Sequence, residues 1–455
     1  MALTRDMTET AIVILAAGKG TRMKSRRAKV LHALAGQPML HHVLATARTL
    51  APERLVLVLG PDMEAVGRTL PEGAPPAEIA IQQERLGSGH ALLMARHALA
   101  GFAGDVLVLY GDVPLITAET LNALLAARRS GAAVAVLGFE PDDGAAYGRL
   151  VIGPEGGLER IVERLDADQA AAEITLCNSG IMAVDGGHLF ALLDGLGNDN
   201  AKGEYYLTDI VAGARARGLE CVHAMAAAEE VMGINDRAQL AAAEAVLQNR
   251  LRRAAMKNGA TLIDPATTWF SLDTVLGEDV TVGPNTQFGP GVRVADGVEI
   301  RAFCHLEGAD VGAGAIIGPY ARLRPGAEIG AGAHIGNFVE IKKARVEKGA
   351  KINHLSYIGD ARIGAGANIG AGTITCNYDG FTKSLSDIGA GAFIGSNSAL
   401  VAPVVIGDGA VVAAGSVITR DVSADAIAVA RGEQDERPGA AARRRDKKKS
   451  GQAKG

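Results

Sequence analysis

The stretch VGAGAIIGPYARLRPGAEIGAGAHIG, residues 311–336, repeats one pattern every six positions. Each repeat opens with an aliphatic residue, from Val311 to Ile335, and a small residue follows four positions later. This period is typical of a hexapeptide β-helix, in which the aliphatic side chain points into a narrow core. The small residue lies at a corner that a larger side chain could not clear. The stretch therefore predicts stacked coils of about three repeats each.

The same period extends from about residue 260 to residue 430 in five runs, which begin at Leu276, Val311, Val346, Ile363 and Ile388 and have a spacing of six within each run. The inward positions are predicted at Leu276, Val282, Phe288, Val294, Ile300, Leu306, Val311, Ile317, Leu323, Ile329, Ile335, Ile341, Val346, Ile352, Ile358, Ile363, Ile369, Ile388, Ile394, Leu400, Ile406, Val412 and Ile418. The period is interrupted between Ile369 and Ile388, so the insert TCNYDGFTKS (375–384) is expected to loop outward. Loops on rigid scaffolds commonly carry function.

Residues 8–234 have a different pattern, in which short apolar runs alternate with helix-like segments. The strand-like runs are AIVILAAG (11–18), RLVLVLG (54–60) and DVLVLYGD (105–112), and the helix-like segments include 38–51 and 120–131. Alternation of this kind predicts a mainly parallel, Rossmann-like sheet with helices on both faces. In such folds ligands bind at the carboxyl ends of the strands.

The remaining segments complete a predicted architecture of an α/β domain, a connecting helix and an all-β domain. Residues 235–259 are expected to form the linker helix, because 236–257 contain neither Gly nor Pro and Asn or Asp can cap the start. The β-helix is assigned to 260–432. Residues 433–455, with the run RRRDKKK, are expected to be a disordered basic tail. A nucleic-acid or membrane contact is the alternative for that run.

Composition excludes several classes of function. The net charge of −5 and pI of about 6.1 do not suggest a nucleic-acid-binding protein. The four cysteines are far apart and form no CxxC, so neither a zinc site nor a disulfide framework is predicted, and a cytoplasmic location fits best. No apolar run approaches the ~18 residues that span a bilayer, so no integral membrane contact is expected.

Two polar motifs follow predicted strands in the first domain. In LAAGKGTRM (15–23), glycines permit close approach of backbone N–H groups to phosphate oxygens, and Lys19, Arg22 and Lys29 supply positive charge. This is neither a Walker A motif nor GxGxxG, and a structural turn accounts for it equally well. In LYGDVPL (109–115), Asp112 ends a buried strand, where it either caps a turn or binds Mg²⁺ together with phosphate oxygens.

Further motifs extend the set. They are LGSGHA (86–91), YGR (147–149), NSG (178–180), EYYLTD (204–209) and GIND (233–236). In this order the motifs resemble the sugar-nucleotide pyrophosphorylases. Followed by hexapeptide repeats, they resemble the bifunctional bacterial enzymes that combine N-acetylglucosamine-1-phosphate uridyltransferase with glucosamine-1-phosphate N-acetyltransferase. The resemblance covers nearly the whole chain except the first ten residues and the tail.

The resemblance implies a first site that uses UTP and Mg²⁺. Arg22 and Lys29 would act on the phosphates, and Asp112 and Asn235 would hold the metal. The positions implied for UTP and the sugar nucleotide are Leu15, Ala16, Ala17, Gly18, Lys29, Gln82, Gly87, Ser88, Tyr110, Gly111, Asp112, Gly148, Glu163, Asn178 and Asn235. A sugar phosphate oxygen would attack the α-phosphorus of UTP and release pyrophosphate. Because that nucleophile is already anionic, positioning and charge neutralisation suffice.

A second site is indicated by EKGAKINHLSYIG (347–359), which places His354 within the repeats. Ile352 and Ile358 satisfy the core around it, so the histidine is not needed for packing, although a lone histidine is more often a surface or packing residue. Arg324 and Lys342 are eighteen residues apart, which places them one coil apart on the same face. The outward loop follows soon after.

By resemblance, His354 is the general base that deprotonates glucosamine-1-phosphate for acetylation by acetyl-CoA. Arg324, Lys342, Tyr357 and Asn368 would bind the sugar phosphate. The acetyl-CoA positions would be Ala371, Asn377, Tyr378, Ser396, Ala414 and Arg431. The resemblance also implies a left-handed coil and a homotrimer with this site between subunits.

Two other functions remain open at this point. One is a sugar-nucleotide pyrophosphorylase whose β-helix is only a scaffold, which would have no need of Lys342, His354, Tyr357, Asn377 and Tyr378. The other is a non-catalytic protein that holds sugar nucleotides, which would leave the proposed metal ligands without a role.

Overall fold

The structure is a computed structural model that describes residues 9–73, 75–141 and 147–452. Residue 8, where the first domain was predicted to start, and residues 453–455 of the tail lie outside the described residues. The chain divides into two compact units, with the boundary after Leu251.

The first unit is built on a nine-stranded sheet. Its main path is β11-β7-β10-β6-β1-β4-β5, and β8 and β9 join it at β10. The strands of this unit, including the separate β2–β3 pair, are β1 (Thr10–Leu15), β2 (Ala33–Leu34), β3 (Gln37–Pro38), β4 (Arg54–Leu59), β5 (Glu78–Ile81), β6 (Asp105–Tyr110), β7 (Val134–Phe139), β8 (Arg149–Ile152), β9 (Leu158–Val162), β10 (Cys177–Asp185) and β11 (Cys221–Met225). The strand β10 runs antiparallel to β6 and β7, whereas β1 is parallel to β4 and β6. The sheet is therefore mixed, but the predicted α/β class is confirmed.

Helices cover both faces of this sheet. They are α1 (Met39–Thr49), α2 (Glu64–Gly67), α3 (Ser88–Leu93), α4 (Ala118–Arg129), α5 (Gln169–Ala172), α6 (Gly186–Leu193) and α7 (Ile210–Ala216). Successive side chains of a strand point to opposite faces. Accordingly Val13 belongs to one buried cluster and its neighbours Ile12 and Ile14 belong to the other. Because both faces are covered, β1 is buried along its whole length and its carboxyl end opens onto the site.

The connecting helix α8 spans Arg237–Lys257, within the predicted 235–259. The unit boundary falls inside it. Ala243 and Leu247 join a buried cluster of the first unit. Beyond the boundary, the Nε of Arg252 donates to the carbonyl of Thr268 at 2.8 Å in the second unit. The helix is thus shared by the two units.

The second unit consists of short parallel strands on successive coils. Thr281 pairs with Glu299, eighteen residues on, and His334 pairs with Lys351, seventeen residues on. The strands are β12 (Thr261–Leu262), β13 (Val275–Leu276), β14 (Thr281–Val282), β15 (Gln287–Phe288), β16 (Arg293–Val294), β17 (Glu299–Ile300), β18 (His305–Leu306), β19 (Ala309–Val311), β20 (Ile316–Ile317), β21 (Arg322–Leu323), β22 (Ala327–Ile329), β23 (His334–Asn337), β24 (Glu340–Val346), β25 (Lys351–His354), β26 (Tyr357–Ile363), β27 (Asn368–Ile369), β28 (Ile374–Cys376), β29 (Ser386–Ile388), β30 (Phe393–Ile394), β31 (Ala399–Val401), β32 (Val404–Ile406), β33 (Val411–Val412), β34 (Val417–Ile418) and β35 (Ile427–Ala428).

These strands form one ladder of ten strands and one sheet of fourteen. All the predicted inward residues are buried except Leu276, which is half-buried. The architecture is consistent with the left-handed β-helix that the repeats and the resemblance predicted. An aliphatic column through the stack supplies the core, as expected for a solenoid.

One corner of this stack bears directly on the second site. Its turning residues have positive φ and follow one another on successive coils; we refer to the seven that lie above Asn285 as the corner line: Phe303, Tyr320, Phe338, Leu355, Gly372, Asn397 and Gly415. The three rings are exposed and stack at 4.8 and 5.1 Å between centroids. Above Leu355 the line continues with Gly or Asn, which adopt this backbone conformation more readily. The corner therefore changes from bulky to small at one level of the prism.

The predicted outward loop lies between β28 and β29. Asp379 accepts hydrogen bonds from the backbone N–H groups of Phe381 and Thr382, at 2.8 and 2.7 Å. The Phe381 side chain is 92% exposed. The loop is thus held by its own hydrogen bonds and presents an aromatic ring outward.

The disorder predicted for the tail is wrong for most of its length, because Ala440–Gln452 form helix α9. Alanine, arginine and lysine are strong helix formers. The prediction of disorder relied on the absence of apolar periodicity and gave too little weight to this helix preference. The basic run 443–449 is exposed. Among the described residues, no helix combines the length and the apolar character that crossing a bilayer requires.

Candidate active sites

A cavity of about 260 Å³ opens at the carboxyl ends of β1 and β6. Ten of its lining residues are positions that the resemblance implied: Leu15, Ala16, Ala17, Gly18, Lys29, Gln82, Gly87, Ser88, Tyr110 and Asp112. The other four are Val30, Arg85, Ala91 and Glu204. Residues far apart in sequence therefore meet where a parallel sheet binds its ligands.

The glycine-rich loop packs directly against the side chain of Lys29. Gly20 has φ +62°, and a Cβ at this position would lie 2.5 Å from the Cβ of Lys29. Gly18 has no such neighbour within 4 Å, so it leaves its backbone open to the cavity. Gly20 is thus required for the conformation and the packing, and Gly18 for access.

Lys29 brings the two expected metal ligands together. Its ammonium donates to the carboxylate of Asp112 and, at 3.1 Å, to the Oδ1 of Asn235. The side chains of Lys29 and Asp112 are only 12% and 19% exposed. The N–H of Ile234 donates to the carbonyl of Asp112 at 2.9 Å, which fixes the Asn235 segment beside the strand end.

This arrangement suits a hard divalent cation. The oxygens of Asp112 and Asn235 converge on one point, and Mg²⁺ in proteins usually takes one or two protein oxygens together with phosphates and water. The described residues contain no group of three or more His, Cys, Asp or Glu side chains able to hold a metal. A metal at Asp112 would therefore depend on ligands from the substrate.

The end of the cavity that is expected to bind the base is held by hydrogen bonds to the backbone. Gln82 donates through Nε2 to the carbonyl of Gly87 at 3.0 Å, which leaves its Oε1 for a ligand. Ser88 accepts from the N–H of Leu207 at 3.1 Å. Gly87 has φ +112°, and a Cβ there would lie 2.5 Å from the carbonyl oxygen of Tyr205. The LGSGHA and EYYLTD motifs therefore form one unit.

Arg85 is a residue of this cavity that the sequence analysis missed. Its Nε donates to the carbonyl of Ala17 at 2.6 Å, and its guanidinium pairs with Asp62. The signal was its place between two expected contacts, Gln82 and Gly87. Glu204 was missed as well, although it opens a quoted motif.

The residues expected to hold the sugar lie beside the cavity. The N–H of Asn178 donates to the carbonyl of Gly148 at 2.9 Å. Glu163 accepts from the hydroxyl of Thr208 at 3.2 Å. Burial raises the pKa of Glu163 above its usual value, and the Thr208 hydrogen bond partly opposes this. A half-buried carboxylate with one donor can accept further hydrogen bonds from sugar hydroxyls.

Tyr110 connects the two parts of the site. Burial, followed by the charges of Glu163 and Asp112, raises the pKa of its phenol. The phenol is therefore a hydrogen-bond donor at neutral pH. A Cβ on Gly180 would lie 2.9 Å from its ring, so the NSG motif makes room for it.

Two expected residues are placed differently. Arg22 lies on the 3₁₀ turn Thr21–Met23, is exposed, and is not among the residues that line the cavity. Gly111 donates to the carbonyl of Leu15 at 3.0 Å, and a Cβ there would lie 3.0 Å from that of Ala16. It thus allows close approach of two strand ends instead of lining the cavity.

The second site is centred on His354 at the end of β25. The imidazole is exposed, and its Nδ1 lies 2.6 Å from the Oδ1 of Asn337. His354 directly precedes Leu355 in the corner line. Ala371 and Ser396 hold the same place on the next two coils, since each directly precedes a residue of that line. The expected acetyl-CoA positions therefore continue upward from the histidine.

The top of this strip is closed by the last expected residue. Arg431 donates through Nη1 to the carbonyl of Ala414 at 2.8 Å, and Ala414 precedes Gly415 of the corner line. The guanidinium keeps other donors, and its exposed position suits a phosphate group.

A group of cations lies on the other side of the corner. Arg324 pairs with Glu340 at 2.8 Å. The pKa of Lys342 is lowered, chiefly by the neighbouring ammonium of Lys383 on the outward loop. Gly359 pairs with Lys342, and a Cβ on Gly359 would lie 2.5 Å from the hydroxyl of Tyr357. The glycine therefore leaves room for the Tyr357 hydroxyl beside Lys342. Adjacent ammonium groups of this kind favour an anion between them.

Lys383 and Glu340 were not identified from the sequence. The loop conformation that brings Lys383 to Lys342 has no sequence signal. Glu340 did have a sequence signal, because it stands eighteen residues after Arg322, and the two residues pair on adjacent coils.

The remaining expected residues lie on both sides of the corner. Asn377 is buried and donates to the carboxylate of Asp360, whereas Tyr378 is exposed and donates to the carbonyl of Gly380. Asn368 lies on the ten-stranded ladder, where it pairs with Lys351. Tyr357 belongs to the fourteen-stranded sheet, so these side chains do not share one face.

Comparisons with known proteins agree with both halves of this description. Residues 12–179 match the family of MobA-like NTP transferase domains. Residues 273–308, 308–343 and 386–420 match the bacterial transferase hexapeptide family. A "Bifunctional protein GlmU" of Paramagnetospirillum magneticum is 61% identical over 98% of this chain and 99% of its own length.

Other relatives give the same result. The protein of this name from Rhodospirillum rubrum is 61% identical over 96% of this chain and 97% of its own. That of Ruegeria sp. is 55% identical over 98% of this chain and 100% of its own. These matches confirm the predicted fold class and two transferase activities on one chain. The chain belongs to the family of bifunctional GlmU proteins.

Proposed function

We propose that this chain makes UDP-N-acetylglucosamine in two steps at two separate sites. The first step transfers an acetyl group from acetyl-CoA to glucosamine-1-phosphate. The second transfers a uridylyl group from UTP to the resulting N-acetylglucosamine-1-phosphate and releases pyrophosphate. The product is a precursor of bacterial cell-envelope polymers, and we place both steps in the cytoplasm.

The uridylyl transfer is supported by the groups around the first cavity. Asp112 and Asn235 would hold Mg²⁺, which when bound neutralises phosphate charge. Lys29 places an ammonium at the same point and can follow the charge that develops on the departing pyrophosphate. Gln82 and Ser88 would orient the base, and Glu163 and Asn178 the sugar. The cavity offers positioning and positive charge, as an anionic nucleophile requires.

The acetyl transfer is supported by the position of His354. The imidazole takes a proton from the sugar ammonium, and the freed amine attacks the thioester carbonyl. The new C–N bond forms as the C–S bond breaks, and the CoA thiolate takes up a proton. Among side chains, histidine is the residue type best suited to accept and release a proton near neutral pH.

The shape of the corner line favours a long, thin acyl carrier above His354. Below the histidine the line is formed by aromatic residues, and above it by Gly372, Asn397 and Gly415. Small residues at Ala371 and Ala414 flank the same strip. A pantetheine chain could lie along this half of the corner, with its phosphates near Arg431. The cations Arg324, Lys342 and Lys383 would hold the sugar phosphate.

We further propose a homotrimer in which different subunits contribute to each acetyltransfer site. The expected residues lie on two faces of the prism, and the loop presents Phe381 away from its own chain. Light scattering coupled to size exclusion would measure the mass. A monomer with full acetyltransferase activity would contradict this arrangement.

The single observation that carries the bifunctional proposal is an exposed imidazole that the core does not require. It lies where the corner line changes from bulky side chains to Gly and Asn. A pyrophosphorylase with a purely structural β-helix would have no use for it. The test measures CoA release with glucosamine-1-phosphate and pyrophosphate release with UTP and Mg²⁺. His354→Ala should abolish the first and spare the second, Asp112→Ala should do the reverse, and His305→Ala, on the same prism, should change neither.

Different results would select the alternatives. Absence of CoA release by the intact protein would favour the pyrophosphorylase with a structural β-helix. Absence of pyrophosphate release as well, with retained sugar-nucleotide binding, would favour a non-catalytic binding protein.

A further inference from the structure

The side chain one coil below His354 is an asparagine amide. Asn337 and His354 are paired in the parallel register of β23 and β25. Both directly precede a residue of the corner line, so their side chains leave the prism at the same corner. The Oδ1 of Asn337 lies 2.6 Å from the Nδ1 of the imidazole. The two groups are therefore in direct hydrogen-bond contact.

This contact determines which ring nitrogen carries the proton. An amide oxygen can only accept a hydrogen bond, so the Nδ1 of His354 must be the donor. A neutral imidazole has one N–H, which leaves the lone pair on Nε2. We propose that Asn337 is a positioning residue for acetyl transfer: it holds His354 in the Nδ1–H tautomer and aims Nε2 at the substrate amine. This inference rests on the proposed role of His354.

The fold itself does not require an asparagine at this position. The same place on the two coils below is taken by Ala302 and Pro319, and on the coil above by Ala371. The core beneath it is supplied by Ile335, which is fully buried. Of these four positions, only residue 337 carries an amide, and it lies on the coil next to the imidazole. This placement is expected if the partner of the amide is the imidazole.

The neighbours above and below the His354 ring differ, which supports the proposal that Nε2 faces the substrate. Asn337 occupies the lower side of His354, toward the aromatic half of the corner line. The upper side carries Ala371, whose methyl group leaves room for a substrate. The proton acceptor Nε2 is therefore free to meet a ligand while Nδ1 is engaged from below.

A neutral acceptor also differs from a carboxylate in its effect on the base. A carboxylate at residue 337 would favour the imidazolium and raise the pKa of His354, so that less of the free base would be present at neutral pH. The other charged or titratable groups near this face are His334 and Lys351 on the ten-stranded ladder, with Glu299 and Arg301 on the lower coil. An amide orients the ring without adding charge to this set.

The test compares Asn337→Leu and Asn337→Asp with the intact protein. For Asn337→Leu we expect kcat for acetyl transfer to fall about tenfold to a hundredfold, as when the hydrogen bond that orients a functional histidine is lost, with KM for both substrates nearly unchanged. Asn337→Asp should recover part of the rate and move the acidic limb of the pH–rate profile to higher pH. Uridylyl transfer, measured on the same samples, should stay at its original rate, and the calorimetric unfolding midpoint of the second unit should stay unchanged and report that the β-helix of the variants is folded.

A spectroscopic readout separates positioning from a general structural effect. In ¹⁵N-histidine-labelled protein, the His354 signal is identified by its loss in His354→Ala. Its shifts should show the Nδ1–H form in the intact protein and a mixture of tautomers in Asn337→Leu. Gln287→Leu removes an exposed amide elsewhere on the prism and should change neither rate nor tautomer.

The outcomes distinguish this inference from the function on which it rests. If His354→Ala retains acetyl transfer, the proposed role of the histidine is wrong. If His354→Ala is inactive but Asn337→Leu keeps the original kcat and the Nδ1–H tautomer, only the role of Asn337 is overturned. A lower unfolding midpoint of the second unit in Asn337→Leu, repeated in the smaller Asn337→Ser, would also overturn it, because it would show a structural role.

Discussion

Replacement of Lys29 by methionine should make the stability of the first unit depend on magnesium. The ammonium of Lys29 is the partner of a carboxylate, Asp112, whose side chain is only 19% exposed. Without it, the carboxylate and the amide oxygen of Asn235 face each other with no cation. The loss of a charged partner from a largely buried group costs about 1–3 kcal/mol. A central value of about 2 kcal/mol corresponds to a midpoint lower by about 4–8 °C for a unit of this size.

Magnesium should reverse this loss in the variant more than it stabilises the original protein. In Lys29→Met a divalent cation enters a site without a competing ammonium, and at a hundred times its dissociation constant it adds about 2.7 kcal/mol. In the original protein the same ion must displace Lys29 or share the oxygens with it. Its stabilising effect is therefore expected to be smaller.

The assay is thermal unfolding by calorimetry in EDTA and in a series of MgCl₂ concentrations, following the transition that UTP shifts. Arg22→Met is the matched control, because it removes an exposed cation from the preceding 3₁₀ turn and should change stability by no more than about 0.5 kcal/mol. If Lys29→Met unfolds at the original midpoint in EDTA, or if magnesium shifts all three proteins equally, the shared-oxygen interpretation of the site is refuted.

Three further predictions concern other parts of the molecule. Burial raises the pKa of Glu163, so the folded state binds the proton more tightly than the unfolded state does, and stability falls as pH rises from about 4.5 through the folded pKa. Glu163→Gln should therefore be more stable than the original protein at pH 7, as measured by urea unfolding. A gain in stability that persisted at pH 3.5 would contradict this cause. Lys383→Ala should raise KM for glucosamine-1-phosphate about twofold to fivefold in the CoA-release assay and leave uridylyl transfer unchanged; an unaltered KM would remove Lys383 from the anion site. Ile358→Ala empties a fully buried position and should cost about 2–5 kcal/mol, so acetyl transfer should be lost at a lower temperature than uridylyl transfer, and simultaneous loss of both would argue against independent units.

The fold of the second unit could be predicted because its core repeats. Within each run, inward residues such as Ile335 are six positions apart, and aliphatic residues sustained at that interval are typical of a β-helix core. The same logic extends to outward neighbours one coil apart, which is how Arg324 and Lys342 were brought together. It fails where a coil has seventeen residues instead of eighteen, and the pair Asn337–His354 stands at that shorter interval.

The first site was predictable as a set of motifs but not as a geometry. Lys29 and Asp112 are separated by 83 positions, and no local pattern indicates that they are in contact. The same applies to Arg85 and Asp62, which meet only because two strand ends lie side by side. In the tail, helix propensity decided the local structure without any apolar face, so periodicity was the wrong criterion there.

The shared helix has a practical consequence for anyone wishing to study one half of the chain alone. A fragment beginning at residue 260, the start of the repeats, would lack Arg252 and leave the carbonyl of Thr268 without its guanidinium donor. A fragment ending at residue 235 would expose the surface of the first unit that Ala243 and Leu247 cover. The first half therefore needs α8 as far as Leu251, which packs against that cluster, and the second half needs it from Arg252 onward.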